Sequence, residues 1–503
     1  ADGYARASGK VGVVFATSGP GATNLVTGLA TAHMDSVPLL AITGQVPTTS
    51  LGSDSFQEAD IYGISIPITK YNYLVKDPAL LPGILREAYY LAGTGRPGPV
   101  LVDVPKDVQT ALIESEAGPS DLPEKNGRRP LSDAGVKDLI EAIAYSIRPV
   151  IYLGGGAAGS AKEILALAEG QDMAVVSTLQ AKGCFPDNHP LSLGLPGMHG
   201  SKYANLAINE SDLILGLGVR FDDRVVGNVR RFAPFAKVAH VDIDPAEIGK
   251  RLPADVAVIG DLREVLSAAL AKMKKRSRPQ WRERVAELRR LYPLDCGGNC
   301  DFIKPQAAIR ALSDLCRGEA VVVTDVGQHQ MWAAQHFQCQ APRRFLSSGG
   351  LGTMGYGLPA AMGAALAKPE RPVVLIAGDG GFQMNVQELA TIRENSLPVK
   401  IMLVNNGCLG MVRQWQQFFF EKRYSQTVFG FSLDFTALAK VYGLEAWRID
   451  SPKEVKAGVE RLMAAKGPAL LEVIIPLEEN VLPMIPAGQG QTDFFEADEE
   501  GGQ

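Results

Sequence analysis

Two short polar motifs close neighbouring apolar runs near the end of the chain. Gly378-Asp379-Gly380-Gly381 ends the run Val373 to Gly378, and Asn405-Asn406 ends the run Ile401 to Asn406. A carboxylate and a side-chain amide at strand ends are oxygen donors of the kind a magnesium ion takes when it bridges protein and phosphate. The glycines carry no Cβ, so an anion can approach the main chain, and a helix beginning there turns its positive end toward it. Taken alone, a Gly-Asp-Gly after a strand is equally well a tight turn.

The interval between the two motifs is similar to that of thiamine-diphosphate-dependent enzymes, in which GDG is followed by NN. The resemblance implies Mg2+ held by Asp379, Asn406 and the main-chain carbonyl of Cys408, with Gly380 and Gly381 beside the diphosphate. Gln328 and His329, after the run Ala320 to Asp325, correspond to positions on the diphosphate side. In Gly349-Gly350-Leu351-Gly352-Thr353-Met354-Gly355, Gly352 matches a point of close approach and Met354 the apolar residue beneath the bent cofactor. Outside that resemblance a lone histidine is more often structural, and a methionine is core filler.

The first part of the chain contains Thr17 to Asn24 (Thr-Ser-Gly-Pro-Gly-Ala-Thr-Asn), Ala41-Ile42-Thr43-Gly44-Gln45 and Asp54-Ser55-Phe56-Gln57-Glu58. This series resembles the pyrimidine-binding domain of the same enzymes, which implies an active site shared between two subunits. By the same resemblance Phe56 and Gln57 line the reaction centre and Lys106 stands at the substrate entrance. Their plain alternatives are a core phenylalanine, a polar loop residue and a solvated charge. The glutamate that activates the aminopyrimidine in this family, worth about 100- to 10,000-fold as acid–base help, falls before the Ala1-Asp2-Gly3-Tyr4-Ala5-Arg6 match. Glu58 matches another position. The expectation is therefore an N-terminally incomplete chain that turns over poorly as written.

The middle part narrows the resemblance. Leu153-Gly154-Gly155-Gly156, Pro196-Gly197-Met198-His199-Gly200, Gly218 to Arg224 (Gly-Val-Arg-Phe-Asp-Asp-Arg) and His240 to Asp244 (His-Val-Asp-Ile-Asp) resemble the FAD-binding pieces of biosynthetic acetolactate (acetohydroxyacid) synthase catalytic subunits. The implied flavin contacts are Arg96, Gly154, Gly155, Thr178, Leu179, Gly197, Met198, His199, Gly218, Arg220, Asp222 and Asp242. Arg224 resembles the residue that holds the carboxylate of the acceptor keto acid, a task suited to a guanidinium fork. Trp415, four residues beyond Met411, resembles the aromatic wall that favours 2-ketobutyrate over pyruvate. Val481 to Gly488 matches the segment that closes over the channel.

The family's reaction joins decarboxylated pyruvate to a second pyruvate, giving 2-acetolactate, or to 2-ketobutyrate, giving 2-aceto-2-hydroxybutyrate, at the first common step of branched-chain amino-acid biosynthesis. Its cofactors are thiamine diphosphate, Mg2+ and FAD. A homodimer or homotetramer with a small regulatory subunit, in the cytoplasm, is the implied setting. Glyoxylate carboligase, a flavin oxidoreductase of the pyruvate oxidase kind, and a cofactor-binding chain without catalysis are the rival readings.

Such sites need strands to carry them. Val/Ile/Leu-rich runs recur at Val11 to Ala16, Pro38 to Gly44, Val100 to Pro105, Val150 to Gly154, Ala174 to Ser177, Leu213 to Gly218 and Val238 to Asp244, besides those already named. Alternating with Ala/Leu-rich helical stretches, they predict an α/β fold of three doubly wound domains with mainly parallel sheets. The expected divisions are a pyrimidine-binding domain (1–113), a central FAD domain (130–272), a diphosphate and Mg domain (300–490) and an acidic tail (491–503), disordered from Glu496. Polar, proline-bearing stretches at Glu114 to Pro130 and Lys274 to Lys304 read as linkers, the second with a helix around Trp281 to Leu291.

A length of 503 residues suits about three domains. The formal charge of -5, with no Lys/Arg block, argues against nucleic acid and anionic membranes as partners. No apolar run approaches the roughly 20 residues that span a bilayer. Six cysteines are too sparse for a disulfide framework and suit a reducing compartment, and the pair Cys296 and Cys300 lacks the second pair of a zinc site.

Overall fold

The computed structural model describes residues 1–113, 130–294, 300–431 and 433–495. The expected disordered tail from Glu496, most of the first linker and Cys296 lie outside them. The chain forms two compact units, one of residues up to 113 with Ser348–Thr353 and Met362–Pro369, the other holding the remaining described residues.

The first unit is built on a sheet of β1 (Gly12–Ala16), β2 (Leu39–Gln45), β3 (Tyr71–Leu74) and β4 (Pro99–Pro105), in the order β1-β2-β4-β3. Strand β4 is buried along its whole length. Val100, Val102 and Val104 pack with Ala88 and Ala92 of the Leu81–Gly93 helix, while Leu101 packs with Ala41 and Leu29. A strand apolar on both faces needs a helix on each, which is the doubly wound solution.

The second unit carries two sheets. The central one comprises β5 (Pro149–Leu153), β6 (Ala174–Ser177), β7 (Leu213–Leu217), β8 (Lys237–Asp242) and β9 (Val256–Ile259), ordered β6-β5-β7-β8-β9. Ile151, Leu153, Leu215 and Leu217 fill one side; Val150, Tyr152 and Ile214 fill the other. The last sheet comprises β10 (Val321–Thr324), β11 (Phe345–Leu346), β12 (Val373–Gly378), β13 (Val399–Asn405), β14 (Glu445–Ile449) and β15 (Ala469–Ile474), ordered β11-β10-β12-β13-β15-β14. Each fully buried Val, Ile or Leu in these sheets contributes roughly 1.5–3 kcal/mol of transfer free energy.

Every strand pairing within the three sheets is parallel. In the last sheet the chain leaves β10 for β11 on one side and returns to β12 on the other; in the central sheet it does the same around β5 and β7. Such switch points open a crevice beyond the carboxyl ends of the strands. The α/β architecture with three mainly parallel sheets is the one expected. Several strands end a residue or two earlier than their apolar runs, because the closing Gly or Asp already turns. Strands β3, β9, β11, β14 and β15 were not anticipated. β3 and β14 are partly exposed, β11 has two residues, and β15 hides Glu472 among its apolar neighbours.

Two glycines test these packing statements. A Cβ on Gly154 would stand 2.0 Å from the Gly218 carbonyl oxygen, backbone that cannot yield cheaply, whereas one on Gly28, exposed within the Val26–Met34 helix, meets nothing within 4 Å. Gly154→Ala is expected to destabilise by roughly 1–3 kcal/mol and Gly28→Ala to stabilise by about 0.5–1 kcal/mol, both read from denaturant midpoints.

Candidate active site

The crevice at the β10/β12 switch point holds a cavity of about 50 Å3. Its walls come from the segments after β10 (Gln328, His329, Trp332), β12 (Asp379, Gly380, Gly381) and β13 (Asn406, Cys408, Met411), with Met354 beside them. Parallel register sets Gly378 opposite Val404, so the two motifs met first in the sequence emerge side by side.

Asp379 is 3% exposed. Burial pushes its carboxyl up to about 7, while the N–H groups of Gly380 and Gly407 act in the opposite direction. It forms no ion pair with any described residue. The two asparagines divide their work. Asn405 donates to the buried Glu472 at 2.7 Å and accepts from Gly407 N–H, which shapes the turn. Asn406 donates Nδ2 to Gln328 at 3.1 Å; its Oδ1 receives only a long 3.3 Å bond from Cys408 N–H. A buried carboxylate and an amide oxygen at adjacent strand ends fit a hard divalent cation.

Gln328 is buried and engaged on every side: it donates to Gln414 and to the Glu479 carbonyl, both at 2.9 Å. His329 differs. Burial pushes its imidazole down to about 3, so it is neutral at pH 7, and its Nε2 has no partner among the described residues. The indole N–H of Trp332, 1% exposed, is likewise unpartnered. His329 and Trp332 both line the cavity, and each has a buried nitrogen without a partner among the described residues, which fits a polyanionic guest that would favour the protonated form of His329.

At the central sheet's switch point, Gly154 and Gly155 follow β5, Thr178 and Leu179 follow β6, Gly218, Arg220 and Asp222 follow β7, and Asp242 ends β8. These positions come to one edge of one sheet. A Cβ on Gly154 would meet the Gly218 carbonyl, and one on Gly218, at φ +57, would meet the Gly156 backbone. Asp222 spends one oxygen capping the Asp223–Val226 helix, accepting from Arg224 and Val225 N–H. Gly197, at φ +90, lets its turn lie against the Arg224 carbonyl. Burial pushes His199 down to about 4, helped by the nearby Arg224 charge. The Thr178 Oγ1 and His199 Nδ1 atoms have no partner among the described residues. Arg220 is half-buried with no ion pair among them. That set of unused donors fits a dinucleotide.

Arg224 is exposed and touches the Met198 sulfur at 3.7 Å; no ion pair among the described residues occupies it. Trp415 is half-buried against Phe419, with ring centroids 5.0 Å apart, so it is no core tryptophan.

In the first unit, Phe56 is 90% exposed, which removes its reading as core. Gln57 adopts φ 59 and closes against Gly19, whose Cβ would stand 2.8 Å from the Gln57 carbonyl. Glu58 accepts N–H bonds from Gly52 and Ser55, so both its oxygens organise this loop. Lys106 is exposed and opens the Lys106–Thr110 helix. Arg96 donates to Ser36 at 2.9 Å. Gly352, at φ 68, belongs to a turn whose Gly349 and Gly350 N–H groups both donate to Asp35, itself paired with Arg6 at 2.8 Å.

The sequence matches three families across these units: "Thiamine pyrophosphate enzyme, N-terminal TPP binding domain" over residues 1–64, its central domain over 136–269 and its C-terminal TPP binding domain over 325–473. It is 49% identical to "Acetolactate synthase" of Arthrospira platensis, covering 98% of this chain and 88% of that protein. It is 45% identical to "Acetolactate synthase isozyme 1 large subunit" of Escherichia coli, with the same coverages, and 47% identical to "Acetolactate synthase large subunit" of Lactococcus lactis, covering 97% and 85%. The chain belongs to the acetolactate synthase large-subunit family.

Against that family background, the residues that sequence reasoning missed are those acting at long range. Asp35 holds a glycine turn more than three hundred residues away, Glu472 holds Asn405, and Asp325 holds the turn behind Met354. Nothing local in the sequence marks them. Trp332 could have been found, since it lies three residues beyond His329 and hence on the same helical face.

A buried carboxylate in the first unit yields a pH prediction. Asp103, 1% exposed, accepts from Thr43 Oγ1 at 2.7 Å and Gln45 Nε2 at 3.0 Å, and burial pushes it up to about 6. A folded-state value above the unfolded one means the folded chain binds this proton more tightly. The contribution is complete below about pH 4 and is lost as pH rises through about 6, amounting to up to about 3 kcal/mol. Chemical denaturation of the wild type relative to Asp103→Asn is expected to show the difference falling across that window and flat above it.

Proposed function

We propose that this chain catalyses the decarboxylative joining of pyruvate to a second pyruvate or to 2-ketobutyrate, with thiamine diphosphate, Mg2+ and FAD. The observation that supports the reading is the β10/β12 crevice, whose wall brings together Asp379, with no ion pair among the described residues, Asn406, His329 and Trp332. Asp379, Asn406 and the main chain of Cys408 hold the cation, and Gly380, Gly381 and His329 receive the diphosphate, beside Gln328, whose amide is held by Gln414, Glu479 and Asn406. Bound thiamine diphosphate supplies the nucleophilic carbon and the electron sink that decarboxylation needs. Met354 supports the cofactor's bend from its place in the cavity wall.

Arg224, exposed and free of an ion pair among the described residues, fixes the acceptor's carboxylate. Trp415, braced by Phe419, presents an apolar wall that welcomes the extra methyl of 2-ketobutyrate, a difference of about 1–3 kcal/mol in such pockets. Phe56, Gln57 and Lys106 act from the pyrimidine side, in a homodimer or homotetramer that brings two chains to each site. FAD lies along Gly154, Gly155, Thr178, Leu179, Gly197, Met198, His199, Gly218, Arg220, Asp222 and Asp242, with Arg96 as a further contact, and has no redox task because the net reaction transfers no electrons. A small regulatory subunit is the expected partner and the cytoplasm the expected setting.

The experiment is acetolactate formation from pyruvate by the full-length protein with all three cofactors. Turnover supports the reading. Faster consumption of glyoxylate than of pyruvate, or oxygen uptake coupled to pyruvate loss, overturns it. Asp379→Asn is expected to weaken thiamine diphosphate binding in Mg2+ by tenfold or more, about 1.4 kcal/mol or above, measured by calorimetry. Trp415→Leu is expected to lower the preference for 2-ketobutyrate while leaving acetolactate formation measurable, read from product ratios in mixed substrates.

A further inference from the structure

The helix Gln328–His336 has a second set of contacts that the proposed reaction does not use. Its first residues, Gln328 and His329, face the cavity at the β10/β12 switch point. Farther along, Gln335 donates Nε2 to the carbonyl of His199 at 2.9 Å. Gln330 donates Nε2 to Ser347 Oγ at 2.6 Å; the same hydroxyl bonds Thr324 Oγ1 at 2.6 Å, and the Ser347 carbonyl accepts from Gln180 Nε2 at 2.8 Å. Gln180 lies in the turn that begins with Thr178 and Leu179.

One nine-residue helix is thus hydrogen-bonded directly to the Gly197–His199 turn and, through Ser347, to the turn after β6, the two segments at the central sheet's switch point that hold unpartnered polar atoms. Thr324 is the last residue of β10, so the Ser347 hydroxyl also reaches the strand that leads to Asp325. The bonds are short, and those among Gln330, Ser347 and Thr324 are buried. A helix is stiff along its axis, so a shift imposed at one end is felt at the other.

We propose that the Gln328–His336 helix couples the two cofactor sites, with Gln335 and Gln180 as positioning residues. Ordering of the Thr178 and His199 segments by a dinucleotide fixes the helix, and the fixed helix presents His329 to the diphosphate already in place. The proposal rests on the reading of the two crevices given above. Linkage then requires reciprocity: each cofactor strengthens the other by the same factor.

The test is equilibrium binding, with no turnover needed. FAD is titrated into cofactor-free protein with and without saturating thiamine diphosphate and Mg2+, followed by flavin fluorescence, and thiamine diphosphate with Mg2+ is titrated with and without FAD by calorimetry. The expected coupling is about fivefold or more, the lower end of the usual range, and equal in both directions. Gln335→Met and Gln180→Met keep the side-chain volume and remove the donor. Each is expected to bring the factor to within about twofold of one, with each cofactor still binding by itself, a change that a merely structural loss would not produce. A wild-type factor of one, or variants that retain the full factor, overturns the coupling while leaving the cofactor assignments intact. Absence of binding by either cofactor overturns those assignments and the coupling with them.

Discussion

The carboxylate of Asp325 is the constraint on which the crevice depends. It sits at the end of β10, 1% exposed, and accepts backbone N–H bonds from Val326, Gly355 and Gly357. Burial raises its protonation range, and those N–H groups oppose the shift. Hydrogen bonds to a charged acceptor contribute roughly 1.5–3 kcal/mol each, enough together to hold a turn that has no regular structure of its own. That turn begins just after Met354. The same carboxylate lies where a Cβ on Gly381 would fall, 2.8 Å from Oδ1. One side chain therefore fixes the end of β10, the turn behind Met354 and the approach of the helix Asp379–Met384 at Gly381.

Around that anchor the glycines answer specific neighbours. A Cβ on Gly410 would meet Gln328 Oε1 at 2.0 Å and Asn406 Nδ2 at 2.6 Å, and one on Gly378 would strike the His329 ring at 2.7 Å. The main chain is thus bared on the sides where Gln328, His329 and Asn406 pack, and the polar side chains sit closer to it than ordinary packing allows. Buried polar groups at such density are tolerable only when satisfied. Gln328 is; His329 Nε2 and Trp332 Nε1 are not.

The sequence was most legible where a single strand and the turn after it carry both packing and chemistry. β12 and β13 are continuous apolar runs that end in their own motifs, so fold and site could be read from the same residues. The central sheet was legible for the same reason, as its glycine turns follow β5 and β7. Legibility failed where structure comes from partners far along the chain. Asp325, Asp35 and Glu472 look like ordinary acidic residues, yet each holds a turn that the motifs need. It failed again for strands such as β3 and β14, whose half-exposed side chains dilute the apolar pattern that marks a buried strand.

The acidic residues at strand ends and in the site loops separate once their partners are compared. Asp35 receives Arg6 and two N–H groups, Glu58 receives two N–H groups of its loop, Asp103 receives Thr43 and Gln45, and Glu472 receives Asn405 and Arg448. Each has both oxygens committed to the protein. Asp379 is buried to a similar degree, yet it has only the backbone of its own turn and of Gly407 for company, and no cationic side chain pairs with it among the described residues. Burial of that kind favours the protonated carboxyl. Either it keeps a proton, or a cation from outside supplies the missing charge. Asn406, in the wall of the same cavity, has an oxygen met only by a 3.3 Å contact from Cys408 N–H among the described residues. Asp103 and Asp325 also lack a cationic partner, but side-chain or backbone donors hold both oxygens of each, whereas Asp379 stands in the wall of a cavity.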